Sequence, residues 1–360
     1  MKRSIFATIV LLIAVGCTAA INANEQTRSF HKRLSVDQHT KLEVDVSYGN
    51  IFIETWDSAA VDIQVELRVS ARNERRAIDY INSLNVEISK QNNIVLLGVT
   101  KKKEQSSFIS INGNNSFNVN NLYTIKMPKD MDIKILHRYG NISFDELTGL
   151  VDIELKYGTM TGRRLARGRE RHLSSLVLKY GRLDIEEVGW LNIEVGYSKV
   201  NIDAARALAM ESKYSTISVG TLGLLACESR YDNYKLRHVD KITGESSYTH
   251  FVLDALTMHT SLKMRYGELK VHHVKSGFSL VECDGSYTDI GISFDPKAHF
   301  SFVASNSYGN IDTRGLNQHN SRYGGNTSYV DGDGGKGPAD GRKGRVKVST
   351  RHAYISLDML

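Results

Sequence analysis

The chain has 360 residues, of which 46 are basic and 40 acidic, so its formal net charge is +6. This mild balance excludes the strongly basic surface typical of nucleic-acid-binding proteins. Only three cysteines and three prolines occur, while Tyr, Val, Ile, Thr and Ser are abundant, which excludes a disulfide framework and favours β-sheet.

Residues 1–23 are typical of a secretory signal, because two basic residues precede the apolar run IFATIVLLIAVG and then small residues. Cleavage after Ala20 or Ala23 fits an ordinary signal peptidase. The sequence AVGC, ending at Cys17, is an imperfect lipobox and makes lipidation of Cys17 the alternative. The mature protein is therefore expected in the periplasm or at the cell surface, with membrane attachment only through that lipid.

Residues 24–130 predict a first set of strands with a short helix. LEVDVSYGNIFIETW at 42–56 alternates apolar and polar residues as a strand pair does, and NERRAIDYINSL at 73–84 has its apolar residues on one helical face. A polar loop is expected over 100–121. We expect these segments to cap the more regular structure that follows, since an uncovered sheet edge promotes aggregation.

Residues 131–322 repeat a pattern centred on a tyrosine, with spacings of 17 to 23 residues. Relative to the tyrosine, positions −6, −4, +3 and +5 are apolar and alternate with polar residues, which is the period of a strand. A fixed period of this size predicts stacked units, each of two short strands around a bend. The tyrosines are Tyr139, Tyr157, Tyr180, Tyr197, Tyr214, Tyr231, Tyr248, Tyr266, Tyr287 and Tyr308.

The pattern predicts an all-β protein, a β-solenoid built from rungs of about 17 residues. One rung buries too few aliphatic side chains, at roughly 1.5–3 kcal/mol each, to offset an ordering cost of about 1–2 kcal/mol per residue. Stacked rungs cover one another and pair their backbones. The tyrosine shares the parity of the inward positions −4 and −6, so the tyrosines are expected to point inward or into the corner as a structural ladder.

Two cysteines remain after removal of the signal, and the repeat places both in the inward −4 column. Cys227 and Cys283 are three rungs apart, about 14 Å, which exceeds the limit of about 7 Å between the Cα atoms of a disulfide. We predict two buried thiols and no disulfide between them.

The C-terminal part departs from the repeat. Residues 323–344 are rich in glycine and predict a loop, and residues 345–360 predict two closing strands. A candidate calcium loop from Asp331 lacks suitable residues at the fifth and twelfth positions of the EF-hand pattern. No cofactor and no metal ion are expected.

The chain resembles a bacterial family of exported β-strand-repeat proteins of unknown function, known as "putative adhesins". The resemblance rests on YGNIFIETWDSAAVDIQV, on YTIKMPKDMDIKILHRYGNISF, on the recurring YGxIxI rungs and on a last strand after a glycine-rich insertion. It implies a β-solenoid in the cell envelope. The family has no established reaction, so no functional residues are carried over.

Two surfaces are candidate sites. The first is a row of rings at Tyr197, Tyr214, Tyr231 and Tyr248, which could contact sugars if exposed. The second is the insertion GRRLARGRERH at 162–172, whose guanidinium groups match phosphate or carboxylate; its arginines are Arg163, Arg164, Arg167, Arg169 and Arg171. Glutamates at −3 and cations at −1 are expected to form a solvated ionic ladder rather than a catalytic pair.

The sequence predicts a non-enzymatic cell-envelope protein, a rigid scaffold that engages an envelope protein or polysaccharide. The alternative is a carbohydrate-binding module or a solenoid carbohydrate-active enzyme. Exposure of the tyrosine rings distinguishes the two, because buried rings offer no surface to a sugar.

Overall fold

The structure is a computed structural model that describes residues 25–102, 117–166, 173–336 and 343–360. The expected signal sequence (residues 1–23) and Cys17 lie outside these residues. The described part contains one helix, α1 (Glu74–Ser83). Its N-terminal strands are β1 (Glu25–Ser35), β2 (Lys41–Ser47), β3 (Asn50–Trp56), β4 (Ala60–Ala71), β5 (Leu84–Gln91), β6 (Ile94–Lys101), β7 (Phe117–Val119) and β8 (Leu122–Pro128).

The remaining strands follow the tyrosine repeat and then the C-terminal extension. They are β9 (Asp132–Arg138), β10 (Ile142–Leu147), β11 (Val151–Lys156), β12 (Thr159–Leu165), β13 (Ser174–Lys179), β14 (Arg182–Gly196), β15 (Lys199–Lys213), β16 (Thr216–Arg230), β17 (Asn233–Ser247), β18 (His250–Val274), β19 (Leu280–Phe294), β20 (Phe300–Ser307), β21 (Asn310–Asp312), β22 (Asn317–Gly324), β23 (Thr327–Gly334), β24 (Gly344–Arg351) and β25 (Tyr354–Met359).

The predicted β-solenoid is confirmed by the strand pairing. In the centre of the chain, β14, β15, β16 and β17 pair in parallel, each shifted by one repeat from its neighbour. Lys199 thus pairs with Arg182 on one side and with Thr216 on the other. Each rung therefore satisfies its backbone hydrogen bonds with the rungs above and below it.

The core runs along the inside of the stack. Around Tyr197, the inward positions −6, −4, +3 and +5 are Leu191, Ile193, Val200 and Ile202, which are at most 2% exposed. The alternation in the sequence therefore identifies the core-facing residues of the strands correctly. The same columns continue from rung to rung, so the buried side chains form one continuous cluster.

The expected inward orientation of the tyrosines is wrong. Every repeat tyrosine is 39–58% exposed, and its φ lies between 52° and 60°, in the left-handed region. Alternation of side chains holds only while the backbone stays extended. A single left-handed residue shifts the alternation of inward and outward side chains by one position. Positions −1 and 0 therefore both face outward, and position +1 faces inward. By contrast, the glycine after the tyrosine is not left-handed at Gly140, Gly158 or Gly181.

The N-terminal part adds an antiparallel layer to the first rungs. The helix predicted at 73–84 is present as α1, which buries Ala77 and Ile81 and packs against β1 and β4. Strand β4 pairs in antiparallel fashion with β1 along its whole length and with β8 on its other edge. Of the predicted polar loop at 100–121, residues 103–116 lie outside the described range.

The C-terminal strand pair inserts into the stack instead of following its last repeat. Strand β24 lies between β19 and β20, and β25 lies between β19 and β21. The expected loop at 323–344 is partly wrong, since β23 occupies Thr327–Gly334 and pairs in antiparallel fashion with β20 and β22. Residues 337–342 of that stretch lie outside the described range.

Both cysteines of the described chain are buried and unpaired, as predicted. Burial raises the pKa of Cys227 and of Cys283 to about 12, and a nearby carboxylate, Asp232 or Asp284 respectively, adds to each shift. The thiolate is the reactive form of cysteine, so buried thiols with raised pKa values are inert.

In a protein that starts after Ala23, we expect neither thiol to react with a disulfide reagent at pH 8 until the protein is denatured. Counting labelled thiols in the native and the denatured protein checks this. Rapid labelling of the native protein would show that the core around Cys227 and Cys283 opens.

Candidate functional site

The repeat tyrosines form one continuous stack of rings, here called the tyrosine ladder. Consecutive ring centroids are 4.6–5.2 Å apart and the ring planes differ by 6–21°. In spatial order the ladder consists of Tyr48, Tyr139, Tyr157, Tyr180, Tyr197, Tyr214, Tyr231, Tyr248, Tyr266, Tyr287, His352 and Tyr308. Eleven steps of about 4.8 Å make it roughly 50 Å long.

Two members of the ladder were not predicted from the sequence. Tyr48 precedes the repeat, although the following Gly-Asn-Ile matches the rung at Tyr139. His352 stacks between Tyr287 and Tyr308 because its rung inserts there. Ile355 and Leu357, at +3 and +5 from His352, are the signal that identifies this rung.

The four predicted ligand residues, Tyr197, Tyr214, Tyr231 and Tyr248, are consecutive members of the ladder and 43–51% exposed. Each ring face is covered by the neighbouring ring, so a ligand meets ring edges and hydroxyl groups. The ladder is thus a ridge of phenol edges with a period of one rung, and ring faces open to a sugar are not available along its interior.

The corner that carries each tyrosine is held by hydrogen bonds along the stack. The backbone N–H of Tyr197 donates to the Lys213 carbonyl at 3.0 Å, and that of Tyr214 donates to the Arg230 carbonyl at 3.0 Å. A left-handed backbone costs an L-residue roughly 1–2 kcal/mol. These bonds and the ring stacking stabilise that conformation in every rung.

Position +1 forms a buried polar column beneath the ladder. The backbone N–H of Ser198 donates to Ser215 Oγ at 3.2 Å, and the N–H of Ser215 donates to Asp232 Oδ1 at 2.6 Å. Small polar side chains on successive rungs thus satisfy the corner N–H groups that point along the stack. This column was not predicted from the sequence.

Asp232 is the only charged member of this column and is 1% exposed. Its Oδ2 accepts hydrogen bonds from the hydroxyls of Ser212 and Ser229 at 2.7 and 2.6 Å and from the Arg230 N–H at 3.0 Å. Burial raises the pKa of Asp232, and these hydrogen bonds oppose the shift. The Tyr234 hydroxyl, 2.6 Å from Ser212 Oγ, extends the network into the core.

The two outward columns on one flank of the ladder carry opposite charges. Position −1 carries seven cations: Arg138, Lys156, Lys179, Lys213, Arg230, Arg265 and Arg351. Position −3 carries mostly acids, and the expected ionic ladder is present in part, since Lys179 pairs with Glu194 at 2.8 Å and Lys156 pairs with Glu154. These pairs lower the pKa of Glu154 and raise that of Lys179.

Open grooves follow the ladder on both sides. On the side of position −1, one groove of about 460 Å³ extends from Lys179 to Arg230, and another of about 530 Å³ extends from Arg230 to Arg351. On the side of position +2, a groove of about 750 Å³ has Gly158, Gly181 and Ser198 among its lining residues. Glycine lets a ligand approach the backbone closely.

The expectation that all five candidate anion-binding arginines lie on one protruding loop is wrong. Arg163 and Arg164 lie in strand β12, while Arg167, Arg169 and Arg171 lie outside the described residues. Arg163 donates to Asp145 Oδ1 at 2.7 Å, and Arg164 lies 3.3 Å from carboxylate oxygens of both Glu146 and Glu187. These carboxylates already pair with the two guanidinium groups that would have to bind an anion.

Within the described ranges, no group of three or more His, Cys, Asp or Glu side chains is placed to hold a metal ion. No helix in this part of the chain is long and apolar enough to cross a membrane.

Comparison with solved structures gives three distant matches. A "putative adhesin" from Parabacteroides merdae has 14% identity and a TM-score of 0.35, covering 75% of this chain and 96% of its own. A "putative lipid binding protein" from Parabacteroides distasonis has 12% identity and a TM-score of 0.36, with the same coverage. A "putative adhesin" from Bacteroides fragilis has 11% identity and a TM-score of 0.26, covering 92% of this chain and 97% of its own.

No curated protein matches the sequence. The sequence pattern of one family, Toastrack DUF4097, matches residues 39–336. That match extends from the first rungs to the C-terminal hairpin and includes all ladder positions except His352. The chain therefore belongs to the Toastrack DUF4097 family.

Proposed function

We propose that this protein is a non-enzymatic scaffold of the cell envelope that holds an extended polymer along its tyrosine ladder. The observation that supports this is the ladder itself, a continuous exposed row of rings with open grooves on both sides. A linear repeat of equivalent contacts suits a ligand that is itself linear and repetitive, because many weak contacts then act together. The hydrogen bonds between the strands of successive rungs hold the rings in this row without a bound ligand.

A carbohydrate-binding role is the form of this proposal that the exposed rings favour. Buried rings would have contradicted it, and the rings are nearly half exposed. The contacts differ from ordinary stacking of a sugar on an aromatic face, since the faces are covered. A polysaccharide along the ridge would accept and donate hydrogen bonds at the tyrosine hydroxyls and place its backbone in a flanking groove.

The role of the hydroxyls is tested by the variant in which Tyr197, Tyr214, Tyr231 and Tyr248 are all changed to Phe. Phenylalanine keeps the stack and the exposed edges but removes four hydroxyl groups. We expect binding to envelope polysaccharide from the producing cells to weaken by about tenfold or more, with unchanged thermal stability, since each lost hydrogen bond contributes about 0.5–1.5 kcal/mol. If the variant bound the polysaccharide as tightly as wild type in a pull-down titration, the ladder would not be the contact surface.

The location is tested on intact cells. We expect the mature chain to begin at Ile21 or Asn24, or at a lipidated Cys17, and its N-terminal peptide mass distinguishes these starts. Digestion by added protease on whole cells would place the solenoid outside and favour an adhesin role. Protection until the outer envelope is opened would place it in the periplasm and would contradict that role.

A further inference from the structure

Arginine and serine alternate along the −1 column in the second half of the solenoid. In spatial order the successive rungs carry Arg230, Ser247, Arg265, Ser286 and Arg351, and Ser307 follows. Two rungs separate one arginine from the next, which corresponds to about 9.6 Å. The insertion of the C-terminal strand pair into the stack produces the last step of this order.

Among the residues that the structure describes, these three arginines have no carboxylate partner. Within the described ranges, no carboxylate oxygen lies within 4.0 Å of the guanidinium groups of Arg230, Arg265 or Arg351. Lys156 and Lys179, in the same column of earlier rungs, are paired with glutamates. The second half of the column therefore presents unpaired guanidinium groups, while the first half is partly neutralised.

The three arginines line one continuous groove of about 530 Å³, here called the arginine groove. The hydroxyls of Ser247 and Ser286 lie in the same groove between the guanidinium groups. Guanidinium forks match carboxylate and sulfate in two parallel hydrogen bonds, and serine hydroxyls suit sugar hydroxyls. The groove thus alternates an anion site with a neutral polar site along the axis of the solenoid.

We propose that the arginine groove binds a linear acidic polysaccharide with one anionic group per disaccharide. This rests on the proposed function and names the class of polymer. The two-rung period is close to the length of an extended disaccharide, so each acidic sugar meets an arginine and each neutral sugar meets a serine. Nucleic-acid phosphates, about 3.4 Å apart along each strand of a duplex, and peptide residues, about 3.4 Å apart, do not match this period.

The acidic residues of the groove set its selectivity. Glu245 lies 3.2 Å from Lys263, and Asp284 accepts a hydrogen bond from Ser349 at 2.7 Å, so both already have partners. Glu228 has none among the described side chains, and it lies on the −3 side of the groove beside Arg230. An anion on every sugar would approach these carboxylates, whereas an anion on every second sugar can face the arginines alone.

The test is titration of the mature chain with a hyaluronan octasaccharide, which has one carboxylate per disaccharide. Polygalacturonate oligomers, with a carboxylate on every sugar, and uncharged cellohexaose serve as comparison ligands. We expect hyaluronan to bind more tightly than either. Arg265→Gln should weaken its binding by about tenfold, since one charge-assisted interaction is lost. Glu228→Gln should strengthen the binding of hyaluronan and reduce the ratio of its affinity to that of polygalacturonate.

Arg345→Gln is the matched control, because Arg345 is an exposed arginine of strand β24 outside the groove and the net charge changes equally. We expect it to leave affinity within about twofold of wild type, as a remote surface charge does. Equal losses in Arg265→Gln and Arg345→Gln, or equal binding of hyaluronan and cellohexaose, would overturn the inference. Binding of a neutral envelope polysaccharide that depends on the ladder tyrosines but not on Arg265 would overturn it while leaving the proposed function intact.

Discussion

Asp232→Ala is expected to lower the free energy of unfolding by about 3 kcal/mol. The substitution removes the acceptor of two serine hydroxyls and two backbone N–H groups inside the solenoid. The donors of Ser212, Ser215 and Ser229 are buried and that of Arg230 is partly buried, so each group left without an acceptor carries a desolvation cost. Urea denaturation followed by the β-sheet circular dichroism signal measures the change.

The control for this substitution is Asp203→Ala, because Asp203 is exposed on the neighbouring strand β15. We expect that change to alter the free energy of unfolding by no more than about 0.5 kcal/mol. A similarly small effect of Asp232→Ala would show that the buried column tolerates the loss, either by rearrangement or by entry of water.

Asp232→Asn tests the charge of the same group. Burial raises the pKa of Asp232 above its usual 3.8, so the folded protein binds this proton more tightly than the unfolded chain does. The stabilisation from this proton is fully present below pH 3.8 and is lost as the pH rises through the raised pKa. We therefore expect wild type to lose stability relative to Asp232→Asn as the pH rises above 3.8. The opposite trend would show that the four donors outweigh burial and favour the carboxylate.

The alternation of apolar residues allowed the solenoid, its register and its core columns to be predicted, because extended backbone fixes which residues face inward. It did not predict the orientation of the tyrosines. A left-handed residue at Tyr197 or Tyr214 is unusual for a bulky side chain. The alternation of inward and outward residues does not continue across such a corner.

The polar +1 column contained a usable signal. Ser198, Ser215, Asp232 and Thr249 follow four consecutive ladder tyrosines and are all small and polar, as expected for residues that accept a hydrogen bond from a corner N–H. A column that faced solvent would be free to carry long side chains. The restriction of this column to small polar residues therefore indicates that it is buried. Burial at +1 in turn indicates that the alternation of inward and outward side chains shifts at the tyrosine.

The order of the last rungs could not be predicted in the same way. Residues that share a period are expected to stack in chain order, but the rung of His352 inserts between those of Tyr287 and Tyr308. Strand β20, which precedes Tyr308, pairs with β24 of the inserted rung on one edge and with β23 of the antiparallel β22–β23 hairpin on the other. The last step in the alternation of arginine and serine, from Ser286 to Arg351, is consequently a property of the fold and is not visible along the chain.

The left-handed backbone at the tyrosine predicts that a Gly variant is more stable there than an Ala variant, which is the reverse of the order in an ordinary strand. Tyr214 stacks on Tyr197 and Tyr231 at 4.9 and 4.7 Å, with φ of 52°. Tyr214→Ala loses two stacking contacts and keeps the strained backbone, so we expect a loss of about 2 kcal/mol. Tyr214→Gly loses the same contacts but adopts the left-handed conformation without strain, so it should be about 1 kcal/mol more stable than Tyr214→Ala.

Lys235 supplies the comparison, because it is an exposed residue near the start of strand β17 and is not left-handed. There the order should reverse, with the Gly variant less stable than the Ala variant by about 0.5–1 kcal/mol. Urea denaturation of the four variants gives both differences under one condition. If Gly were also the weaker residue at position 214, the tyrosine would not occupy a left-handed corner in solution. The outward phase of the ladder, on which polymer binding at its edges depends, would then be lost.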